Sequence, residues 1–281
     1  MACGFCFHTA TTSHVVPLED AIRGITLLKE AGMRKINFAG GEPFLYPKFL
    51  GRLVSHCKEI AIESVSIVSN GSKVTEGFLE RYGRNIDILA ISCDSFNEQT
   101  NSKIGRGTGS NVRQLHRVKA WCDKYGIKFK LNTVVCHLNW MEDMNEHIST
   151  LSPYRWKCFQ VLIVEGENDS AERLRDATKF AVTSDEFEHF IEKHASQESL
   201  VPEPNRLMAK SYLILDEYMR FLDRTGRQPS TSILQVGVKN ALESVFWDVD
   251  SFYERGGLYD WRAHTDLGRC ADERDSQYLQ W

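Results

Sequence analysis

Two cysteines three residues apart, Cys3 and Cys6 in the opening MACGFC, are the first groups of this chain able to do chemistry. A C-x-x-C pair can hold zinc, with His8 or His14 as further ligands, can cycle as a dithiol, or can supply two of the three thiolates of an iron–sulfur site. The other six cysteines lie mostly in apolar runs, such as Cys93 in DILAISCDS, and read as buried inert thiols.

A second set of reactive groups lies in strand-like text. Side chains two apart on a strand share a face. Lys35 therefore projects with Asn37, Lys130 with Asn132, and Arg155 with Lys157, while Ile36, Phe38, Phe129, Leu131, Trp156 and Cys158 point the other way. Parallel strands are normally apolar on both faces, and unpaired cations inside a fold are strongly unfavourable. Either acidic neighbours at the strand ends pair with them, or an anionic ligand does. Four cations match the roughly four negative charges of a nucleoside triphosphate, and Arg offers the forked donors that phosphate oxygens accept.

The elements that must position these groups alternate along the chain. LEDAIRGITLLKEAG has helical spacing and ends at Gly32. Strands RKINFA, SVSIVS, IDILAIS, IKFKLNTVV and RWKCFQVLIV follow, separated by helices near 48–60, 75–83, 111–125 and 141–151. Such alternation predicts an α/β fold with a parallel sheet, open or closed into a barrel, with ligands at the carboxyl ends of the strands. Those ends carry Gly40, Gly41 and Glu42 in AGGEPF, Ser69 and Asn70 before Gly71, and Ser92; Arg106 follows in IGRG. Glycines let a ligand approach the backbone, and the carboxylate suits an ammonium group. After residue 165 the periodicity is mainly helical, including SDEFEHFIEKH and MAKSYLILDEYMRFLD.

The chain has 281 residues, 42% apolar and 26% charged, with 34 basic against 38 acidic side chains. That balance does not favour a nucleic-acid partner. No long apolar run or signal-peptide pattern is present, so the expected location is a reducing, cytoplasmic one with no membrane segment.

The segments CGFCFHTA, INFAGGEPF, VSIVSNGS, DILAISCDSF, IGRG, RWKCFQVLIVEGEN, MNEHI, SYLILDEYMRFLD and the terminal Trp281 resemble the radical S-adenosylmethionine (SAM) enzymes, and within them the viperin family of antiviral nucleotide dehydratases. The resemblance implies a partial (β/α)6 barrel over residues 1–165 and a mainly helical C-terminal extension over 166–281 that packs on and closes it. The family motif is C-x-x-x-C-x-x-C, which holds a [4Fe-4S] cluster. Cys3 and Cys6 match its second and third cysteines, so the chain is expected to be N-terminally truncated, with the first barrel strand missing.

Reductive cleavage of SAM would then yield a radical that converts a ribonucleoside triphosphate, usually CTP, to its 3'-deoxy-3',4'-didehydro analogue. By the same resemblance, Phe5 and Phe7 line the adenosyl group. Gly40, Gly41, Glu42, Ser69, Asn70, Ser92 and Arg106 bind the rest of the cofactor. Lys35, Lys130, Asn132, Arg155, Lys157, Arg255, Gly256 and Gly257 hold the nucleotide, and Tyr212 stands near the ribose as a donor of hydrogen or a proton. The implied partners are an electron donor and the cytosolic iron–sulfur assembly machinery, through Trp281. Placement on endoplasmic reticulum or lipid droplets would require an upstream amphipathic helix. The competing expectation is a binding or scaffold protein that lacks a complete cluster site.

Overall fold

Short segments of four to eight residues, several of them alternating polar and apolar, become strands of a single sheet, and amphipathic segments become the helices that cover it. The computed structural model describes residues 1–6, 13–222, 228–257 and 259–263. Along the chain it comprises α1 (Leu18–Glu30), β1 (Lys35–Phe38), α2 (Pro47–Glu59), β2 (Ser64–Ser69), α3 (Glu76–Tyr82), β3 (Ile88–Ser92), α4 (Glu98–Ile104), α5 (Asn111–Tyr125), β4 (Lys128–Val135), α6 (Asn145–Leu151), β5 (Arg155–Gln160), α7 (Ser184–Lys193), β6 (Leu200–Glu203), α8 (Asn205–Ser211), α9 (Ile233–Glu243) and α10 (Val249–Glu254).

The strands pair in sequence order, all parallel, and β1 does not pair with β6, so the sheet is an open partial barrel. The core lies between the sheet and its helices. Phe129, Leu131, Trp156 and Cys158 point into it and meet residues such as Leu115, Val118, Cys122 and Phe190. Local sequence sets the helix ends. Asn97 caps α4 by accepting from the Gln99 and Thr100 amides, Gly126 ends α5 in the left-handed conformation, and Thr183 with Glu186 forms a capping box on α7.

Two expectations are corrected. A sixth strand, β6 in LVPE, extends the five expected before residue 165. The segment SYLILDEYMRFLD is not a continuous helix: α8 stops at Ser211, Tyr212 has extended backbone (φ −102°, ψ 125°), and Leu215 bridges Phe221 antiparallel. Hydrogen bonding between these two short stretches outweighs the helical spacing of their leucines.

Register and curl position the site. Lys130 lies beside Arg155, Asn132 beside Lys157, and Ser92 beside Asn132. β1 and β5 are four strand spacings apart, about 19 Å in a flat sheet. Yet Lys35 Nζ and Arg155 Cζ lie 4.4 and 4.0 Å from the centroid of one ring, Tyr259. The sheet therefore curls its cationic face inward.

Residues 259–263 cross the amino ends of the strands. Trp261 O accepts from Ser64 Oγ (3.0 Å), Asp260 pairs with Lys128 (2.7 Å), and the Ala263 amide donates to Asp87 Oδ1 (3.1 Å). No helix among the described residues is long and apolar enough to cross a membrane.

Candidate active site

The carboxyl ends of the strands gather the first half of the site. The N-terminal loop is laced to the α4 C-terminus by two backbone bonds, from the Ala2 amide to Gly105 O and from the Gly4 amide to Ile104 O, both 3.0 Å. Cys3 is thereby half-buried and Cys6 exposed. Burial pushes the Cys3 thiol up, and the Arg106 guanidinium partly offsets this. Between the two cysteines Phe5 is buried with Ile104, Cys136, Val161 and Ala177, edge-on to Phe180 at 5.7 Å.

Arg106 is ion-paired with Asp94, both buried, a partner that sequence reasoning missed. Asp94 Oδ1 also accepts from the Val134 amide (2.9 Å). Thus Arg106 is held between the end of β3, where Ser92 lies, and the cysteine loop.

After β1, Gly40 (φ 79°) and Gly41 (φ 52°) adopt left-handed backbone, with open space where a Cβ would stand. The backbone there is uncrowded enough for a ligand to approach it closely. Glu42 is buried alongside, its carboxylate accepting from Ser69 Oγ (2.7 Å) and the amides of Asn70 (2.8 Å) and Phe44 (3.2 Å). Ser69 and Asn70 thus act by fixing Glu42.

The second half lies nearer the amino ends of the strands. Lys35, Lys130, Arg155, Lys157 and Arg255 converge there, and each influences the charge of at least one other. Their ion pairs among the described residues go to one carboxylate, the fully buried Glu203 of β6, which binds Lys157 and lies 3.5 Å from Arg255. Tyr212 OH donates to Glu203 (3.2 Å) and accepts from Lys157 (3.1 Å).

Arg155 donates to Gly256 O (3.2 Å), while its Nε is buried without a partner, as is Asn132 Oδ1. Gly257 is buried so tightly that a Cβ would come within 2.5 Å of Phe252. A groove of about 460 Å³ beside β6, α8 and α10 reaches Arg155, Arg255 and Gly256.

The electrostatic cost of this gathering is visible in the lysines. Desolvation, then Lys157, Arg155 and Arg255, push Lys35 down to about 7. Burial, then Lys157, Lys35 and Arg155, hold Lys130 well below the ordinary lysine value, and burial lowers Lys157 despite Glu203. Burial, then Glu203, drives the Tyr212 phenol up. An anion placed among these groups would relieve all of the cations together.

Structure therefore brings the expected strand cations into one cage and, Phe7 apart, the expected cofactor residues to the carboxyl-end rim. Sequence reasoning missed Asp94 and Glu203. The first stands two residues beyond Ser92 in the same strand end. The second ends a four-residue strand in LVPEP, where a carboxylate before a proline was the only signal. Phe7, His8, Cys270 and Trp281 lie outside the described residues.

A model of the radical SAM superfamily matches residues 1–151, the segment that holds the cysteine loop, the glycine pair and Arg106. The chain belongs to the radical SAM superfamily. It is 55% identical over 266 residues to the S-adenosylmethionine-dependent nucleotide dehydratase RSAD2 of Siniperca chuatsi, covering 92% of this chain and 75% of that protein. It is equally similar to the RSAD2 of Danio rerio, at 55% over 92% and 74%. A bacterial S-adenosylmethionine-dependent nucleotide dehydratase, from Flammeovirga pacifica, is 32% identical over 93% of this chain and 92% of that one.

Among solved structures, native anSMEcpe with bound AdoMet and Cp18Cys peptide superposes with a TM-score of 0.66 at 14% identity, over 92% of this chain and 81% of that one. Streptococcus suis SuiB bound to S-adenosylmethionine gives 0.64 at 16%, over 90% and 64%. At those identities the likeness establishes the fold.

Radical SAM proteins use a [4Fe-4S] cluster with SAM. The uncrowded Gly40–Gly41 backbone and the buried Glu42 fit the amino-acid end of SAM. Cys3 and Cys6 fit two of three cluster thiolates, and no group of three potential metal ligands forms among the described residues. A zinc site joining His14 to the two cysteines is likewise not formed among the described residues.

Proposed function

We propose that this chain is a viperin-like radical SAM nucleotide dehydratase whose substrate is a ribonucleoside triphosphate, CTP first among them, converted to the 3'-deoxy-3',4'-didehydro product. The observation that carries the substrate class is the cage: five buried or half-buried cations against one carboxylate, with an unpartnered Arg155 Nε. In this reading Lys35, Lys130, Arg155, Lys157 and Arg255 hold the phosphates, with Asn132 and the Gly256–Gly257 backbone beside them. Gly40, Gly41, Glu42, Ser92 and Arg106 hold the amino-acid end of SAM, Phe5 lies beneath the cysteine loop, and Tyr212 stands between cage and rim as a hydrogen or proton donor.

When bound, cluster and SAM supply the one-electron chemistry that removes a hydrogen atom from carbon. The protein orients the ribose and shields it from water. An electron donor, and the cytosolic iron–sulfur machinery acting at the C-terminal tryptophan, complete the reading.

Anaerobic reconstitution with iron and sulfide, followed by assay of 5'-deoxyadenosine with each of the four triphosphates, tests it. Formation that depends on a nucleotide is the expected result; equal formation without any nucleotide overturns it. The two thiols visible in the loop favour a second reading, a nucleotide-binding scaffold without catalysis. Four irons per chain after reconstitution would exclude that second reading.

A further inference from the structure

Glu203 is the one acidic side chain that ion-pairs with the cage cations among the described residues, and it is fully buried. Its two oxygens are shared by three separate parts of the chain. Lys157 comes from β5, Arg255 from the turn after α10, and the Tyr212 hydroxyl from the residue after α8. These three also touch one another. Lys157 donates to Tyr212 OH, and the Arg255 guanidinium lies 3.9 Å from the Tyr212 ring centroid while donating to Ser211 Oγ at 2.6 Å. The Lys130 side chain, by contrast, lies in the sheet between β3 and β5 with no hydrogen bond or ion pair of its own among the described residues. A carboxylate and a phosphate oxygen compete for the same charged donors.

Resting on the nucleotide reading above, we propose that Glu203 is a positioning residue that stands in for substrate phosphate. It holds Lys157, Arg255 and Tyr212 in register and yields the two cations to an incoming polyphosphate. A buried carboxylate with only a structural role would stabilise the fold and leave phosphate binding unaided. A stand-in does the opposite at the site, because each contact it keeps is one that the ligand must win.

The test is to titrate inorganic tripolyphosphate and CTP into wild type, Glu203→Gln and Glu203→Asp at fixed pH and ionic strength, by calorimetry, and to record Tm without ligand. Glu203→Gln keeps the shape and removes the competitor's charge. It is expected to bind both ligands about tenfold more tightly, the worth of a lost charge-assisted contact, while its ligand-free Tm falls. Glu203→Asp withdraws the carboxylate by one methylene and is expected to lie between the two on both measures.

A through-space charge effect alone would leave Glu203→Asp binding like wild type, whereas competition for the same donors makes it intermediate. Unchanged or weaker binding by Glu203→Gln overturns the proposal. If that variant does not fold, unchanged or weaker binding by Glu203→Asp does so. Wild-type protein that binds neither ligand would instead remove the nucleotide reading itself.

Discussion

Lys35 contributes to the pH dependence of the site. Its folded-state value of about 7 lies below the ordinary 10.5 because burial and three neighbouring cations oppose its charge. Between those two values the unfolded chain holds a proton that the folded chain has released, so the stability contributed by this residue rises with pH across that window. A polyphosphate restores the charge and must therefore take up protons on binding. Calorimetry of tripolyphosphate at pH 8, in buffers of different ionisation enthalpy, should show net proton uptake that Lys35→Met diminishes. Identical heats in all buffers would contradict this.

Asp94 supports a second outcome at the same scale. Removing one partner of a buried ion pair typically costs about 3–5 kcal/mol. Asp94→Ala should lose roughly that much in chemical denaturation, and adding Arg106→Met should recover part of it. A loss below about 1 kcal/mol would place the pair in the range of exposed salt bridges.

The element that matters most to the cysteine loop is the turn ending α4. Gly105 has φ 91°, and a Cβ there would lie 2.4 Å from Ala2 O and 3.2 Å from the Cys3 Cα. Gly105→Ala should displace the loop while leaving the sheet intact. The expected result is iron uptake on reconstitution reduced severalfold with unchanged far-ultraviolet circular dichroism; full iron content would show that the loop holds its place without that close approach.

Much of this level was legible in the sequence. The strands read as apolar runs, and the i, i+2 rule placed Lys130 with Asn132 and Arg155 with Lys157 on one face. What escaped was set by tertiary partners. β6 is four residues long, contains Pro202, and is a strand only because β5 pairs with it. Tyr212 carried the right residue type in text that read as helix, and from its extended backbone its hydroxyl reaches the Glu203 carboxylate nine residues away. Asp94 and Arg106 are twelve positions apart, joined by α4 and its left-handed glycine rather than by any sequence spacing.

At the scale of the whole molecule, helices shield one face of the curled sheet, and residues 259–263 brace the amino ends of its strands. Positive charge is concentrated on the other face although the chain as a whole is acidic, at −4. Ligands should therefore act as global stabilisers. A polyphosphate at a hundred times its Kd should add about 2.7 kcal/mol to unfolding. The rise in Tm should follow the order tripolyphosphate, pyrophosphate, phosphate, and shrink with added salt; equal shifts for all three anions would point to nonspecific binding.

The strands also fix a length. From Lys130 to Val134, which packs with Phe5 and Cys3, β4 advances four residues, roughly 13 Å at about 3.3 Å each. Strand length thus serves as a gauge. In the nucleotide reading proposed above, a nucleotide anchored by its terminal phosphate would present its sugar at a depth set by the number of phosphates between them, so that phosphate count, before any contact with the base, would govern which nucleotides reach the rim.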